Sequence, residues 1–185
     1  MDTQEFQLQL FATMPVAYPF VVRVSVMRDS GVLRCRFEVT GRGVKVPPPS
    51  VAGPSRCDGL WRHTCLEVFV TAARDPGYCE WNLSPSGDWN LYRFDNHRKG
   101  GRPETAVADA RPQVARRDGA LVVEADLPLA PLGLADASLE IGLSAVLEAD
   151  DGTLTYWALA HAAARPDFHD RRGFKLRLPP PLESP

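Results

Sequence analysis

The stretch from Tyr78 to Phe94 concentrates side chains that could do chemistry, namely carboxylates, amides, a guanidinium and indoles. Ser86-Gly87 stands between two alternating runs, and a two-residue loop that contains glycine is a common signal of a β-hairpin. Such a loop fixes three cross-strand pairs: Ser84–Trp89, Asn82–Leu91 and Glu80–Arg93. Because side chains alternate along a strand, these residues share one face. The opposite face is predicted to form core and carries Trp81, Leu83, Tyr92 and Phe94.

The first of these two faces has the composition of a polar-ligand site. Sugars offer apolar C–H faces that stack on exposed aromatic rings, and their hydroxyls need polar partners such as amides, carboxylates and guanidinium groups. Trp89 supplies a ring beside Glu80, Asn82 and Arg93, and Trp61 is a second indole predicted to lie outside the core. The alternative is that the second sheet covers this face and that Trp89 belongs to the core.

Two glutamates raise the question of catalysis. Glu67 and Glu80 lie on consecutive predicted strands, and a carboxylate pair is the arrangement used in glycoside hydrolysis. The inferred register, however, pairs Glu80 with Arg93, which would keep the carboxylate ionised and make it a poor general acid. No nucleophile motif is present. The sequence therefore favours binding over carboxylate chemistry.

The histidines provide the second class of function, an enzyme with or without a metal. The set in question comprises His63, Glu67, His161 and His169, with Asp167 close to the last of these in sequence. The spacing matches no zinc motif, and the four cysteines contain no CxxC pair. A third class is a protein-interaction module that uses an exposed sheet face or an edge strand.

Composition limits the partners that can be expected. The chain has 185 residues and a formal net charge of -2, so no basic field points to nucleic acid or to a membrane surface. No signal peptide and no apolar run of transmembrane length is visible. We therefore expect a cytoplasmic protein, a monomer or homodimer, that binds a small molecule or saccharide.

Alternating segments broken by glycine turns organise the whole chain. A half-buried strand is predicted over Glu5 to Phe11. Three further hairpins are predicted over 20–40, 110–127 and 138–161, and a last strand over 174–178. In the first of them, a turn at Ser30-Gly31 aligns apolar side chains and opposes two charges: Val22–Val39, Val24–Phe37, Val26–Cys35 and Arg23–Glu38.

Strands at this spacing predict an all-β fold, an antiparallel β-sandwich of jelly-roll type. We expect residues 1–178 to form one domain and residues 179–185 to be a proline-rich tail.

Three blocks of the sequence carry a family resemblance. They read LWRHTCLEVFV, then YCEWNLSPSGDWNLYRFDNHR, then YWALAHAAARPDFHDRRGF. Together they resemble the DOMON-like domains, a subgroup of the superfamily that contains the family-nine carbohydrate-binding modules. The resemblance covers most of the chain and implies a jelly-roll sandwich with a ligand face on one sheet.

The resemblance also implies a function and a set of residues. Relatives in the superfamily bind sugars between aromatic rings, often with structural calcium, and some DOMON domains bind haem. It implies a non-catalytic module for a carbohydrate or a sugar-derived metabolite, with calcium as the cofactor to test for. By motif position the residues of interest are Trp61, His63, Glu67, Glu80, Asn82, Trp89, Arg93, His161, Asp167 and His169.

Overall fold

The structure is a computed structural model and describes residues 3–11, 19–29 and 31–181. The strands in this part of the chain are β1 (Gln4–Gln7), β2 (Gln9–Leu10), β3 (Val21–Asp29), β4 (Val32–Thr40), β5 (Cys65–Ala72), β6 (Tyr78–Leu83), β7 (Trp89–Phe94), β8 (Arg102–Pro103), β9 (Gln113–Arg117), β10 (Ala120–Pro128), β11 (Leu139–Glu148), β12 (Leu154–Ala158) and β13 (Leu176–Leu178). The helices described are three short 3-10 turns at Leu60–Arg62, Ala130–Leu132 and Arg171–Gly173. No helix in these described ranges is long and apolar enough to cross a membrane.

The strands form two antiparallel sheets. The smaller sheet has five strands in the order β1-β3-β4-β10-β9. The larger has eight, in the order β2-β12-β11-β5-β6-β7-β8, with β13 also paired to β11. The predicted all-β antiparallel sandwich is confirmed.

One apolar core fills the space between the sheets. Val24, Phe37 and Val123 from the smaller sheet belong to the same buried cluster as Val68 and Trp81 from the larger. These residues occupy alternate strand positions, as one buried face of a strand requires. The core therefore consists of the two inner faces of the sheets, and the two outer faces are not part of it.

The predicted N-terminal strand is shared between the sheets. Its first half, β1, pairs with β3 in the smaller sheet, and its second half, β2, pairs with β12 in the larger. Leu8 lies between the halves, is buried, and donates its N–H to the Val22 carbonyl at 2.9 Å. One alternating segment thus closes one side of the sandwich.

The register predicted for the β3–β4 hairpin is confirmed in all four pairs, including Arg23 opposite Glu38. Ser30, the first turn residue, lies outside the described residues, as do residues 182–185 of the predicted tail. Gly31 has a φ of 79°, a left-handed conformation that glycine adopts without steric cost.

The register predicted for the β6–β7 hairpin is wrong by one residue. The observed pairs are Leu83–Trp89, Asn82–Asn90, Trp81–Leu91, Glu80–Tyr92 and Cys79–Arg93. The cause is a loop of three residues instead of two, closed by a hydrogen bond from Ser84 N–H to the Asp88 carbonyl at 2.9 Å. Gly87 takes the left-handed position of this loop, with φ of 92°. A slip of one residue exchanges the two faces of a strand, so β7 presents its side chains opposite to the prediction.

Candidate functional site

A cleft of about 500 Å³ lies on the outer face of the eight-stranded sheet. Strand residues form its floor: Glu67, Phe69, Glu80, Tyr92, Phe94, Val146 and Tyr156. Loop residues form its rim: Trp61, Arg98, Gly101, Pro166, Phe168 and His169. The volume falls within the range of about 300–1,000 Å³ that is typical of small-molecule sites.

Strand register brings the two glutamates together on the floor. Glu67 lies opposite Asn82, and Glu80 lies opposite Phe69, on adjacent strands β5 and β6. The glutamates are therefore diagonal neighbours on one face, a relation that places Cα atoms about 7–8 Å apart. The sequence prediction that Glu67 and Glu80 approach each other agrees with this register.

A second, smaller core builds one wall of the cleft. Residues 160–174, which we call the covering segment, bring Phe174 onto the outer face against Phe69 and Tyr78. The rings of Tyr78 and Phe94 stack at 5.0 Å between centroids. A Cβ at Gly142 would lie 2.7 Å from Cδ1 of Phe174, so only glycine leaves room for this ring. The wall positions His169 at the cleft.

Both glutamates are almost completely buried. Glu67 is 3% exposed and accepts a hydrogen bond from Ser144 Oγ at 2.9 Å through Oε2. Burial, reinforced by the charge of Glu80, raises the pKa of Glu67 to about 8, and the Ser144 bond opposes the rise. Glu80 is 5% exposed, and its Oε1 accepts from Asn82 Nδ2 at 2.9 Å. Burial raises the pKa of Glu80 as well, against the effect of the Asn82 bond.

His169 is held as a neutral ring beside Glu80. The Tyr78 hydroxyl accepts from the backbone N–H of Arg98 at 3.1 Å and lies 2.8 Å from His169 Nδ1. We therefore assign the Tyr78 hydrogen to the bond with Nδ1, which leaves the imidazole proton on Nε2, 3.7 Å from Glu80 Oε2. Burial, and secondarily the charge of Arg98, lowers the pKa of His169 to about 4.

Asp167 contacts two basic side chains, Arg98 of the rim and the neighbouring His97. Its carboxylate accepts from Arg98 Nη2 at 2.9 Å and lies 2.9 Å from His97 Nε2. Arg98 thus lines the cleft while its charge is balanced by a carboxylate of the covering segment. Asp167 contributes to the site by fixing Arg98.

Trp61 is the exposed indole of the site. Trp61 is 41% exposed, and its ring contacts the Tyr92 ring edge-on, with 5.8 Å between the ring centroids. The Tyr92 hydroxyl in turn donates to Asp58 Oδ1 at 2.6 Å and accepts from Asn90 Nδ2 at 2.8 Å. Tyr92 is therefore held in place, and Trp61 presents its ring to the cleft mouth.

Two of the predicted residues lie away from the cleft because of the register shift. Trp89 is 3% exposed and belongs to the core between the sheets, with Arg56 Cζ 4.2 Å from its ring centroid. The predicted exposure of Trp89 is thus wrong. Arg93 pairs with Glu104 at 2.5 Å, so the predicted Glu80–Arg93 pair is also wrong. Asn82 keeps its place on the outer face but is fully buried beside Glu80.

The structure does not assemble the predicted histidine cluster. His63 Nδ1 lies 2.7 Å from Glu148 Oε2, and His161 Nε2 lies 2.8 Å from the Gln9 carbonyl. Only Glu67 and His169 of that set line the cleft. In the described ranges, no group of three histidine, cysteine, aspartate or glutamate side chains could hold a metal ion. Calcium, which the resemblance implies, stays a prediction.

Sequence reasoning missed several rings of the cleft. Tyr92 and Phe94 were assigned to the core because a two-residue turn was assumed, and SPSGD also fits a three-residue loop. Tyr156 precedes Trp157 in strand β12, and because neighbouring side chains in a strand point to opposite faces, it points outward while Trp157 belongs to the core. Phe168 and Arg98 come from loops without periodicity, and no signal in the sequence places them.

Comparison with known proteins supports the fold. No protein-family profile matches the chain, and no curated protein matches it in sequence. Among solved structures, a candidate carbohydrate-binding protein from Bacteroides uniformis is similar, with a TM-score of 0.68 and 13% identity over 94% of this chain and 84% of that one. At this identity the likeness establishes a shared β-sandwich fold.

A second solved structure is similar to a smaller extent. It is a family-nine carbohydrate-binding module from Caldicellulosiruptor kristjanssonii in complex with cellotriose. The TM-score is 0.49 and the identity 12%, over 84% of this chain and 71% of that one. This overlap is too limited to support an argument about the cleft.

Proposed function

We propose that this protein is a non-catalytic module that binds a carbohydrate or a sugar-derived metabolite in the cleft of the eight-stranded sheet. The observation that carries the proposal is the combination of an exposed indole, Trp61, with buried hydrogen-bonding groups on the floor beneath it. The fold shared with a candidate carbohydrate-binding protein supports it. The assignment to the DOMON-like subgroup is part of the same proposal and rests on the three sequence blocks.

The cleft offers the two kinds of contact that a sugar needs. Trp61 and Tyr156 supply ring surface for the apolar C–H faces of a pyranose. Glu67 and Glu80 accept hydrogen bonds from hydroxyls or, when protonated, donate them, and His169 donates through Nε2. The Trp61 ring at the mouth, with the Tyr156 ring and the hydrogen-bonding groups on the floor, would orient the sugar with one edge toward the sheet.

A titration with a panel of neutral oligosaccharides tests this function. Trp61→Ala should abolish binding while changing the free energy of unfolding little, because the side chain is partly exposed. Val114→Ala, an exposed apolar position on edge strand β9, is the matched control and should leave binding intact. A thermal shift provides a second readout, since ligand at a hundredfold excess over its Kd stabilises by about 2.7 kcal/mol. Equal binding by both variants would contradict the proposed site.

Carboxylate catalysis is a second candidate, favoured by one observation. Glu80 does not pair with Arg93, so the objection drawn from the predicted register no longer holds. A buried glutamate that remains protonated near neutral pH is suited to act as a general acid. Hydrolysis of an aryl glycoside, lost in Glu67→Gln, would assign this function to the cleft, whereas binding without turnover assigns the first.

A further inference from the structure

We propose that the ligand of this cleft carries a positively charged group, an ammonium as in an amino sugar, that lies between Glu67 and Glu80. The inference rests on the proposed binding function and names the ligand class of the same cleft. It follows from the charges, free oxygens and rings that the structure places there.

The two floor glutamates lack the cation that other poorly exposed glutamates possess. Glu104 pairs with an arginine at 2.5 Å, and Glu140 and Glu148 pair with an arginine and a lysine at 2.6 Å each. In the described part of the chain, neither Glu67 nor Glu80 forms an ion pair with lysine or arginine. A buried carboxylate without a compensating charge is costly, so burial favours the protonated form of both side chains, and a cation from the ligand would favour the ionised form.

Each of these carboxylates also keeps one oxygen available. Ser144 occupies Oε2 of Glu67, and Asn82 occupies Oε1 of Glu80. Among the described residues, no hydrogen bond reaches Glu67 Oε1 or Glu80 Oε2, and His169 Nε2 lies 3.7 Å from Glu80 Oε2. Both side chains line the cleft. An ammonium has three donors and no acceptor, so it can serve both free oxygens at once.

The basic groups that line the cleft compensate the two glutamates only in part: the charge of Arg98 lowers the pKa of both, but its direct partner is Asp167. The guanidinium of Arg98 bonds to Asp167 through Nε at 3.2 Å and Nη2 at 2.9 Å. His169 is neutral, because its Nδ1 is occupied by Tyr78 and burial lowers its pKa to about 4. With Asp167 balancing Arg98, the two glutamates give the floor an excess of negative charge whenever they ionise.

The rings around the floor suit a charged sugar better than a small amine. Aromatic faces attract cations, and they also stack on pyranose C–H faces. Tyr92 and Phe94 flank the glutamates, and Trp61 and Phe168 stand at the rim. A cleft of about 500 Å³ exceeds what a simple amine would fill. An amino sugar uses the carboxylates and the rings together.

Binding of such a ligand should release a proton. Burial keeps Glu67 largely protonated near neutral pH, with its pKa raised to about 8, and a bound ammonium favours the ionised form. The other titratable or charged groups that act on the pair are Cys65, Tyr78, Tyr92, Arg98 and His169. His169, with its pKa lowered to about 4, stays neutral at pH 6.5.

Isothermal titration at pH 6.5 with three trisaccharides tests the inference. The ligands are a glucosamine trimer, its fully N-acetylated counterpart and a glucose trimer, which share a pyranose backbone and differ in charge. We expect the glucosamine trimer to bind about tenfold or more tightly than either neutral trimer. We also expect its measured heat to vary with the ionisation enthalpy of the buffer, because the protein loses a proton.

Variants connect the preference to the two carboxylates. Glu67→Gln and Glu80→Gln should each reduce the ratio of the affinity for the charged trimer to the affinity for the neutral trimers. Glu124→Gln is the matched control, since Glu124 pairs with Arg36 on the other sheet. Melting curves check that each variant is folded. The comparison of the three trimers on the wild-type protein tests the inference even if a variant does not fold.

The outcomes separate the inference from the function on which it rests. A glucose trimer that binds as tightly as the glucosamine trimer would overturn the charged-group inference and leave sugar binding intact. A preference that survives in both glutamine variants would also overturn it. Absence of binding by all three trimers would remove both the inference and the proposed function.

Discussion

The two outer faces of this sandwich treat charge in opposite ways. On the five-stranded sheet, Arg34 meets Asp126 at 2.7 Å and Arg36 meets Glu124 at 2.9 Å, and these side chains are between about a third and a half exposed. On the eight-stranded sheet, Glu67 and Glu80 are nearly buried and have no arginine or lysine partner among the described residues. The charged side chains of the five-stranded face form solvent-exposed ion pairs, whereas the eight-stranded face buries two carboxyl groups in a cleft.

The difference supports the proposal that the eight-stranded face binds the ligand. Exposed ion pairs contribute about 0–1 kcal/mol each, so the five-stranded face gains or loses little from them. A carboxyl group buried without a cation either stays ionised at a high cost or is kept protonated by a raised pKa, and folding alone gives no reason to keep it. Residues that conflict with stability concentrate where a protein binds or reacts. The cleft of the eight-stranded sheet meets this criterion.

The covering segment is the second difference between the faces. It places Phe174 on the outer surface of the eight-stranded sheet as part of a small core with Phe69 and Tyr78. The five-stranded face instead carries charged side chains that remain partly open to water. A sheet buried on both faces provides a rigid floor for a site.

Removing the small core should have the largest effect. Phe174→Ala deletes a ring that is 1% exposed, and we expect the free energy of unfolding to fall by about 3–5 kcal/mol, as in other core truncations. Chemical denaturation measures the loss. A loss below about 1 kcal/mol would show that the covering segment does not depend on this ring.

The pH dependence of stability should sharpen the comparison next. The folded pKa of Glu67 is about 8 against an ordinary value of 4.5, so its protonated form is favoured by folding. This stabilisation is complete below about pH 4.5 and is lost as the pH rises through about 8. Wild type should therefore lose a few kcal/mol relative to Glu67→Gln between pH 5 and pH 8.

Unfolding curves of the two proteins at several pH values measure that difference. Both proteins contain His169, so the difference between their free energies of unfolding excludes its contribution. The lowered pKa of His169, near 4, makes stability rise between about pH 4 and 6.5, opposite to the effect of Glu67. Parallel curves for the two proteins would show that Glu67 is ionised in the folded state, contrary to its burial.

The smallest effect should come from the five-stranded face. Arg34→Ala breaks a pair in which both side chains are about half exposed, and we expect a change within about 1 kcal/mol that shrinks further in high salt. Denaturation at low and high ionic strength checks this. A loss of several kcal/mol would mean that the ion pairs on this face contribute substantially to stability, and the two faces would then not differ as described.

Sequence patterns predicted the fold because local rules govern it. Alternation and a glycine turn sufficed to place Val22, Val24 and Val26 against their partners in β4. The same rules failed at Gly87, where one extra loop residue exchanged the faces of β7 and moved Trp89 into the core. The sequence SPSGD is compatible with a two-residue or a three-residue loop. The length of this loop decides which side chains of β7 face the core.

The site was less predictable because it depends on distant contacts. His169 reaches Tyr78 and Glu80 through the covering segment, which has no periodic pattern from which its path could be read. The pairing of Arg93 with Glu104 likewise required the position of the chain after β7. Glu67 and Glu80 could be identified as candidates from their predicted strands. That neither has a lysine or arginine partner among the described residues depends on the folded positions of residues distant in sequence.

Tryptophan signals offer the most direct test of the central claim that the cleft is the ligand site. The chain has four tryptophans, and Trp61 alone lies at the cleft, while Trp81, Trp89 and Trp157 belong to the core between the sheets. In nitrogen–proton correlation spectra recorded during titration with the best-binding trimer, the account predicts a concentration-dependent shift of the Trp61 indole N–H and little change in the other three. An unchanged Trp61 signal, with shifts confined to β3, β4 and β10 of the five-stranded sheet, would contradict it.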